Sequence, residues 1–171
     1  MGQKLRFSGI ILCFLICLAA CSSPKGDPLK YRSQGFSATV SVESERTKFD
    51  AIFHVSAPAE DQSIGFKVDF IAPESLKGLS ISQDNEGVEI LLGEEKYTDI
   101  LSSLFWELEL GKAVRLLSPQ EPIISVKSID GYTVVTTKEA IVYIDPATSL
   151  PQKATDAQGK ITVTVKDFYH S

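Results

Sequence analysis

From Phe36 onward, apolar and polar residues alternate, and this two-residue period constrains the chain more than any other feature. Phe36, Ala38, Val40 and Val42 fall on one side, and Ser37, Thr39, Ser41 and Glu43 on the other. That is the pattern of a strand with one face buried. Phe49, Ala51, Phe53, Val55 and Ala57 repeat it after a polar turn, and Ile64, Phe66, Val68 and Phe70 repeat it again. Short polar links between such strands imply an antiparallel meander. Leu79 and Ile81 start a fourth strand, and Val88, Ile90 and Leu92 form a fifth. Further strands are expected over 123–129, 132–137, 140–144 and 152–155, with Asp130-Gly131 as a tight hairpin turn. The last carries Ile161, Val163, Val165 and Phe168.

Between these two runs the period changes. Ile100, Leu101, Leu104, Phe105 and Leu108 recur at helical spacing, with Thr98 or Asp99 as cap. A helix from Thr98 to Leu110 is predicted, with Gly111 ending or interrupting it. About ten strands and one main helix, with no regular alternation of the two, define a mainly β, α+β fold. The expected arrangement is an antiparallel sheet with the helix packed on one face.

The first twenty residues read as an export signal. Lys4 and Arg6 precede an apolar run from Phe7 to Ala20 that is short for a membrane span. Leu18-Ala19-Ala20-Cys21 then resembles the lipobox of bacterial lipoproteins. The resemblance implies cleavage before Cys21 and a diacylglyceryl group, with palmitate-type chains, on its thiol. Cys13 and Cys17 leave with the signal, so the mature chain has neither a disulfide framework nor a cysteine metal site. Two acyl chains with roughly a dozen buried methylenes each contribute on the order of 20 kcal/mol, an anchor permanent on cellular timescales. The expected division is a signal peptide over 1–20, a lipidated tether over 21–30 and a folded domain over 31–171. Flexible-chain scaling gives the Ser22–Lys30 segment a span of about 15–18 Å.

Removing residues 1–20 leaves 15 Lys and Arg against 22 Asp and Glu, a net charge of −7. A chain this acidic does not track nucleic acid and is repelled by anionic lipid heads, so the domain stands off its membrane. The location expected is the bacterial cell envelope, on the outer face of the cytoplasmic membrane or on an outer membrane. A monomer is expected.

Motifs for chemistry are missing. His54 lies mid-strand and His170 is next to last, so the two histidines do not sit at ligand spacing. Gly78-Leu79-Ser80-Ile81-Ser82 lacks the second glycine of a nucleophile elbow. Glu94-Glu95 and the Glu107/Glu109 pair read as solvated faces. No catalytic residue, metal or cofactor is expected, and an enzyme is not expected.

Three stretches carry a wider resemblance: Phe36-Ser37-Ala38-Thr39-Val40, Ala72-Pro73-Glu74-Ser75-Leu76-Lys77-Gly78, and Ile144 through Lys153 before a closing Val165-Lys166-Asp167-Phe168. Together they resemble the LolA/LolB-like lipoprotein-carrier superfamily over about Phe36 to Phe168. The resemblance implies an incomplete antiparallel β-barrel, or strongly curved sheet, with a helix over its concave face, a half-barrel whose apolar interior receives the acyl chains of lipoproteins, a transport role. The lining set expected on the concave face is Phe66, Val68, Phe70, Ile81, Val88 and Ile90. Leu101, Leu104, Phe105 and Leu108 would lie on a helical lid. Two functions follow: an anchored lipoprotein that binds a lipid or lipoprotein acyl chain, or a non-catalytic envelope lipoprotein, such as a stress sensor or assembly partner, with a filled core. An apolar cavity of several hundred Å³ would favour the first.

Overall fold

The structure is a computed structural model, and it describes residues 26–59, 63–83, 87–100 and 108–170. Cys21 and the export signal lie outside the described residues. No helix among the described residues is long and apolar enough to cross a membrane.

Eleven strands form one open antiparallel sheet: β1 (Phe36–Ser44), β2 (Lys48–Val55), β3 (Phe66–Ala72), β4 (Leu79–Gln83), β5 (Val88–Leu92), β6 (Glu95–Ile100), β7 (Ser125–Ile129), β8 (Tyr132–Thr136), β9 (Ala140–Ile144), β10 (Pro151–Asp156) and β11 (Ile161–His170). The spatial order is β6-β5-β4-β3-β2-β1-β11-β10-β9-β8-β7. Two meanders are thus joined back to back where the first strand pairs the last, and among the described residues β6 and β7 are the sheet's edges. The fold is mostly β, as the alternation implied, and the sheet does not close on itself.

Along β1, Phe36, Ala38, Val40 and Val42 are fully buried, and Ala51, Phe53 and Val55 of β2 lie opposite in register. On β11 the apolar period breaks between Val165 and Phe168. Thr39 pairs Asp167 while the next residue, Val40, pairs Val165, so Lys166 is an extra residue in that strand. Such a bulge returns both apolar side chains to one face. Lys166 then reaches outward to the Asp50 carboxylate at 2.9 Å.

One α-helix, α1 (Glu109–Leu117), lies among the described residues, and it packs against β9, β10 and β11. The expected helix from Thr98 to Leu110 is corrected at its two ends: its start is strand, and Leu108 is the extended residue that precedes α1. Thr98 and Ile100 belong to β6, because Gly93-Glu94 turns the chain back so that Tyr97 pairs Ile90. Tyr97, Thr98 and Ile100 are good strand formers. Residues 101–107 lie outside the described residues, so Leu101, Leu104 and Phe105 do as well. The helix α1 uses a further stripe, Leu110, Ala113, Val114 and Leu117, at helical spacing. Gly111 does not end it but lies buried inside its first turn.

The amino-terminal segment is part of the core. Leu29, placed in the tether by its sequence context, is fully buried, and Tyr31 sits in a 3-10 turn over Lys30–Ser33. Asp27 is tied in with it: its carboxylate accepts the Leu29 amide at 2.8 Å and lies 3.7 Å from the Arg32 guanidinium. Gly35 makes the turn from this segment into β1 at φ +70°, and a Cβ there would stand 2.9 Å from the Ala57 amide nitrogen. Gly35→Ala should therefore destabilise the fold by more than about 1 kcal/mol, since both backbone conformation and space oppose it. A urea midpoint unchanged from the parent would contradict this.

Candidate functional site

The six residues expected to line the concave face share one face of the sheet. Val68 pairs Ile81, which pairs Ile90, and Phe66 pairs Gln83, which pairs Val88. Phe70 lies two residues beyond Val68, opposite Ala51, with its ring 5.2 Å from that of Phe49. Burial is graded across the row. Phe66, Val68 and Val88 are buried, whereas Phe70, Ile81 and Ile90 are half-buried. Leu92 and Tyr97, farther toward the β6 edge, are exposed. Leu108 does not join the row; it is the extended residue that precedes α1, and about half of it is exposed.

The other half of the same face is filled by the chain itself. Val135, Val142, Ala154 and Val163 form one cross-strand row. Ala113, Val114 and Leu117 of α1 are fully buried in the same cluster. Two contacts fix the helix ends. At its start, Ser44 and Thr47 in the β1–β2 turn donate their hydroxyls to Glu109 Oε2 at 2.8 and 2.6 Å. At its end, the Tyr31 hydroxyl donates to the Leu117 carbonyl at 2.6 Å. This satisfies one of the carbonyls that a helix terminus leaves open. Burial pushes the Tyr31 phenol up from its ordinary value, so it stays the protonated donor. Arg32 donates to the Pro119 carbonyl just beyond.

The Thr47 hydrogen bond, and then that of Ser44, hold the Glu109 carboxyl below its ordinary range. A depressed folded-state value means that Glu109 contributes stability above the unfolded carboxyl's titration, and that this contribution is lost as pH falls through the folded value. Thr47→Val should raise the Glu109 titration toward the ordinary range in a carboxyl NMR experiment and flatten the loss of stability below pH about 4.5. An unmoved titration would show that the hydroxyl does not hold the carboxylate.

Around this helix start lies a cleft of about 650 Å³, lined by α1 and by the β1–β2, β8–β9 and β10–β11 turns. The turns are tied together: the Ala157 amide donates to the Glu139 carbonyl at 3.2 Å, and the Ile161 amide to Asp156 Oδ1 at 2.9 Å. The lining is charged rather than apolar. Arg46, Lys112, Lys138 and Lys160 line it beside Glu45 and other acids. None of these four cations makes a direct ion pair among the described residues. Acyl chains need apolar walls, so this cleft does not suit one. Periodicity does not reveal the cleft, because its residues come from three turns and one helix far apart in sequence. The Glu45-Arg46 and Lys138-Glu139 pairs at turn positions are its sole local trace.

His54 is a rim residue on the opposite face, with Nδ1 2.8 Å from Ser37 Oγ and Nε2 3.4 Å from Asp69. No group of three metal-ligating side chains occurs among the described residues.

No protein-family model and no curated protein matches the sequence. Several solved structures are similar at low identity. A chain of the complex between the CwlD amidase of Clostridioides difficile and the GerS lipoprotein is 18% identical, with 100% of this chain and 98% of that chain covered and a TM-score of 0.48. An uncharacterised conserved protein from Thermus thermophilus is 16% identical over 83% of this chain and 82% of its own, with a TM-score of 0.49. A LolA superfamily protein from Nitrosomonas europaea, of the superfamily that the sequence resembles, is 9% identical over 84% and 92%, with a TM-score of 0.38. At these identities and scores, function has to be read from the chain's own residues.

Proposed function

We propose that the protein is a non-catalytic envelope lipoprotein that works by protein interaction, held at its membrane by lipid on Cys21. The observation that carries this reading is the filled apolar face: α1 and the strands from β1 to β2 and β8 to β11 bury their side chains against each other. The 650 Å³ cleft, in contrast, presents charge. A carrier needs an apolar volume left open for its cargo. Native mass spectrometry of the purified protein should show the mature mass with its own lipid and no further apolar ligand. A stoichiometric co-purified lipid would overturn the reading.

A second reading rests on the half-buried strip of Phe70, Ile81 and Ile90 beside exposed Leu92 and Tyr97. Here a lipid or lipoprotein acyl chain would lie along β4 to β6, on the half of the face away from the β9 to β11 strands that α1 packs against. Binding of an environment-sensitive apolar dye to the folded domain, lost on Ile81→Asp, would favour this reading.

Membrane attachment has its own test. Cys21→Ala should abolish incorporation of labelled fatty acid and leave an unprocessed precursor. Continued labelling would refute Cys21 as the attachment site.

A further inference from the structure

The two edges of the sheet differ. β6 carries Glu95 and Lys96 among its first residues, the kind of charge that discourages strand addition. β7 carries a single charge, Lys127, and pairs β8 on one side and, among the described residues, nothing on the other. Large apolar side chains stand open around it. Val126 is 38% exposed on the face shared with Val135, Ile129 and Tyr132 are 44% and 40% exposed on the other, and Ile124, just before the strand, is 68% exposed. Lys127 makes no ion pair among the described residues.

The hairpin fixes which main-chain groups are open. Asp130 at φ 50° and Gly131 at φ 83° form a two-residue turn, so Ile129 and Tyr132 are a hydrogen-bonded pair. Alternation along an antiparallel ladder then turns Lys127 and Ser125 toward β8, and turns the N–H and C=O groups of Val126 and Ser128 outward. An extended segment can pair with both.

We propose that the free edge of β7 is a docking site for an extended acidic segment of a partner protein, which adds to the sheet as a further strand. The proposal deepens the interaction reading and rests on it. Charge selects the occupant. A second copy of this chain would engage both Val126 and Ser128 only in the register that places Lys127 directly opposite its symmetry mate. Like charges so placed are destabilising. A carboxylate at that position, with apolar residues on the Val126 side, meets both demands of the edge. Main-chain hydrogen bonds supply the pairing and the alternating side chains supply selectivity.

A capped Glu-Val-Glu-Val-Glu-Val peptide and its Lys-for-Glu counterpart, each added to the full chain, test this by amide hydrogen exchange. The acidic peptide should slow exchange at Val126 and Ser128 and leave the β6 amides unchanged, and the basic peptide should bind about tenfold more weakly. Ser128→Pro removes an outward N–H that β8 does not use, and should weaken the acidic peptide about tenfold. Lys127→Glu should reverse the preference, which keeps the test open if the proline variant does not fold. Absence of protection, equal protection by both peptides, or dimerisation of the free chain through the same amides would overturn the proposal. Mass spectrometry separates the two levels. A ligand-free protein that ignores the peptide refutes this edge alone, whereas co-purified lipid with normal peptide binding refutes the interaction reading as a general account.

Discussion

Phe36→Ala is expected to destabilise the fold by about 3–5 kcal/mol, the cost of emptying a buried aromatic site. Phe36 is fully buried at the start of β1, the strand that joins the two meanders. Its ring stacks on Phe168 at 4.9 Å and meets Tyr31 edge-on at 5.7 Å. Tyr31 and Phe168 are themselves in edge contact at 5.7 Å. Removing the central ring takes one ring contact from each neighbour, and such pairs contribute roughly 0.5–1.5 kcal/mol beyond the buried area. Against a total stability on the order of 5–15 kcal/mol, the loss is large enough to move a urea midpoint far toward zero. Tyr169→Ala, one residue from Phe168 but on an exposed side chain, should stay within about 0.5 kcal/mol of the parent. Equal effects from the two substitutions would mean that the aromatic cluster does not join the amino-terminal segment to the sheet.

Leu117→Ala is expected to cost about 2–5 kcal/mol and to show no dependence on added fatty acid. Leu117 is fully buried at the end of α1, and its carbonyl receives the Tyr31 hydroxyl. In a filled core the deletion leaves a void that the surrounding strands cannot close. If α1 were a lid over an open site, less of its surface would be packed. The same change would then cost less than roughly 1.5 kcal/mol, and ligand would shift the melt. Denaturant melts with and without fatty acid distinguish the cases. A small loss that grows when ligand is supplied would move the function back toward an acyl carrier. Because α1 touches β9, β10 and β11, its result bears on that half of the face, and Ile81→Asp with the dye bears on the other.

Helical spacing was the least decisive signal in the chain. Two apolar stripes overlap between Ile100 and Leu117: one through Ile100, Leu104 and Leu108, the other through Leu110, Val114 and Leu117. Both satisfy a 3.6-residue period, and by local propensity Gly111 favours the first, because it falls inside the second. At the start of the first stripe β5 offers its edge, so Tyr97 to Ile100 pairs with it and Ile100 leaves the helical count. Burial decides at the other end, because Ala113, Val114 and Leu117 find the β9–β11 face and compensate for a glycine that costs about 1 kcal/mol in a helix. Leu29 behaved similarly. A lone leucine between Pro28 and Lys30 has no period to report, and its place in the core follows from the dock of Tyr31 on the end of α1.

By itself, the sequence determined every strand but β6, and their inward faces. Side-chain direction alternates with every residue of an extended backbone, so the composition of each face is written locally. It determined the Asp130-Gly131 hairpin for the same reason, since that turn is a property of two residues. Neighbours far apart in the chain were decided only by the tertiary structure: β1 against β11, the register shift at Lys166, and the meeting of three turns with α1 around one charged cleft. Each depends on which long-range pairing buries the most apolar surface at once, a quantity that no local window contains. The free edge of β7 has the same origin, because a strand is an edge only by virtue of what the rest of the sheet leaves unpaired.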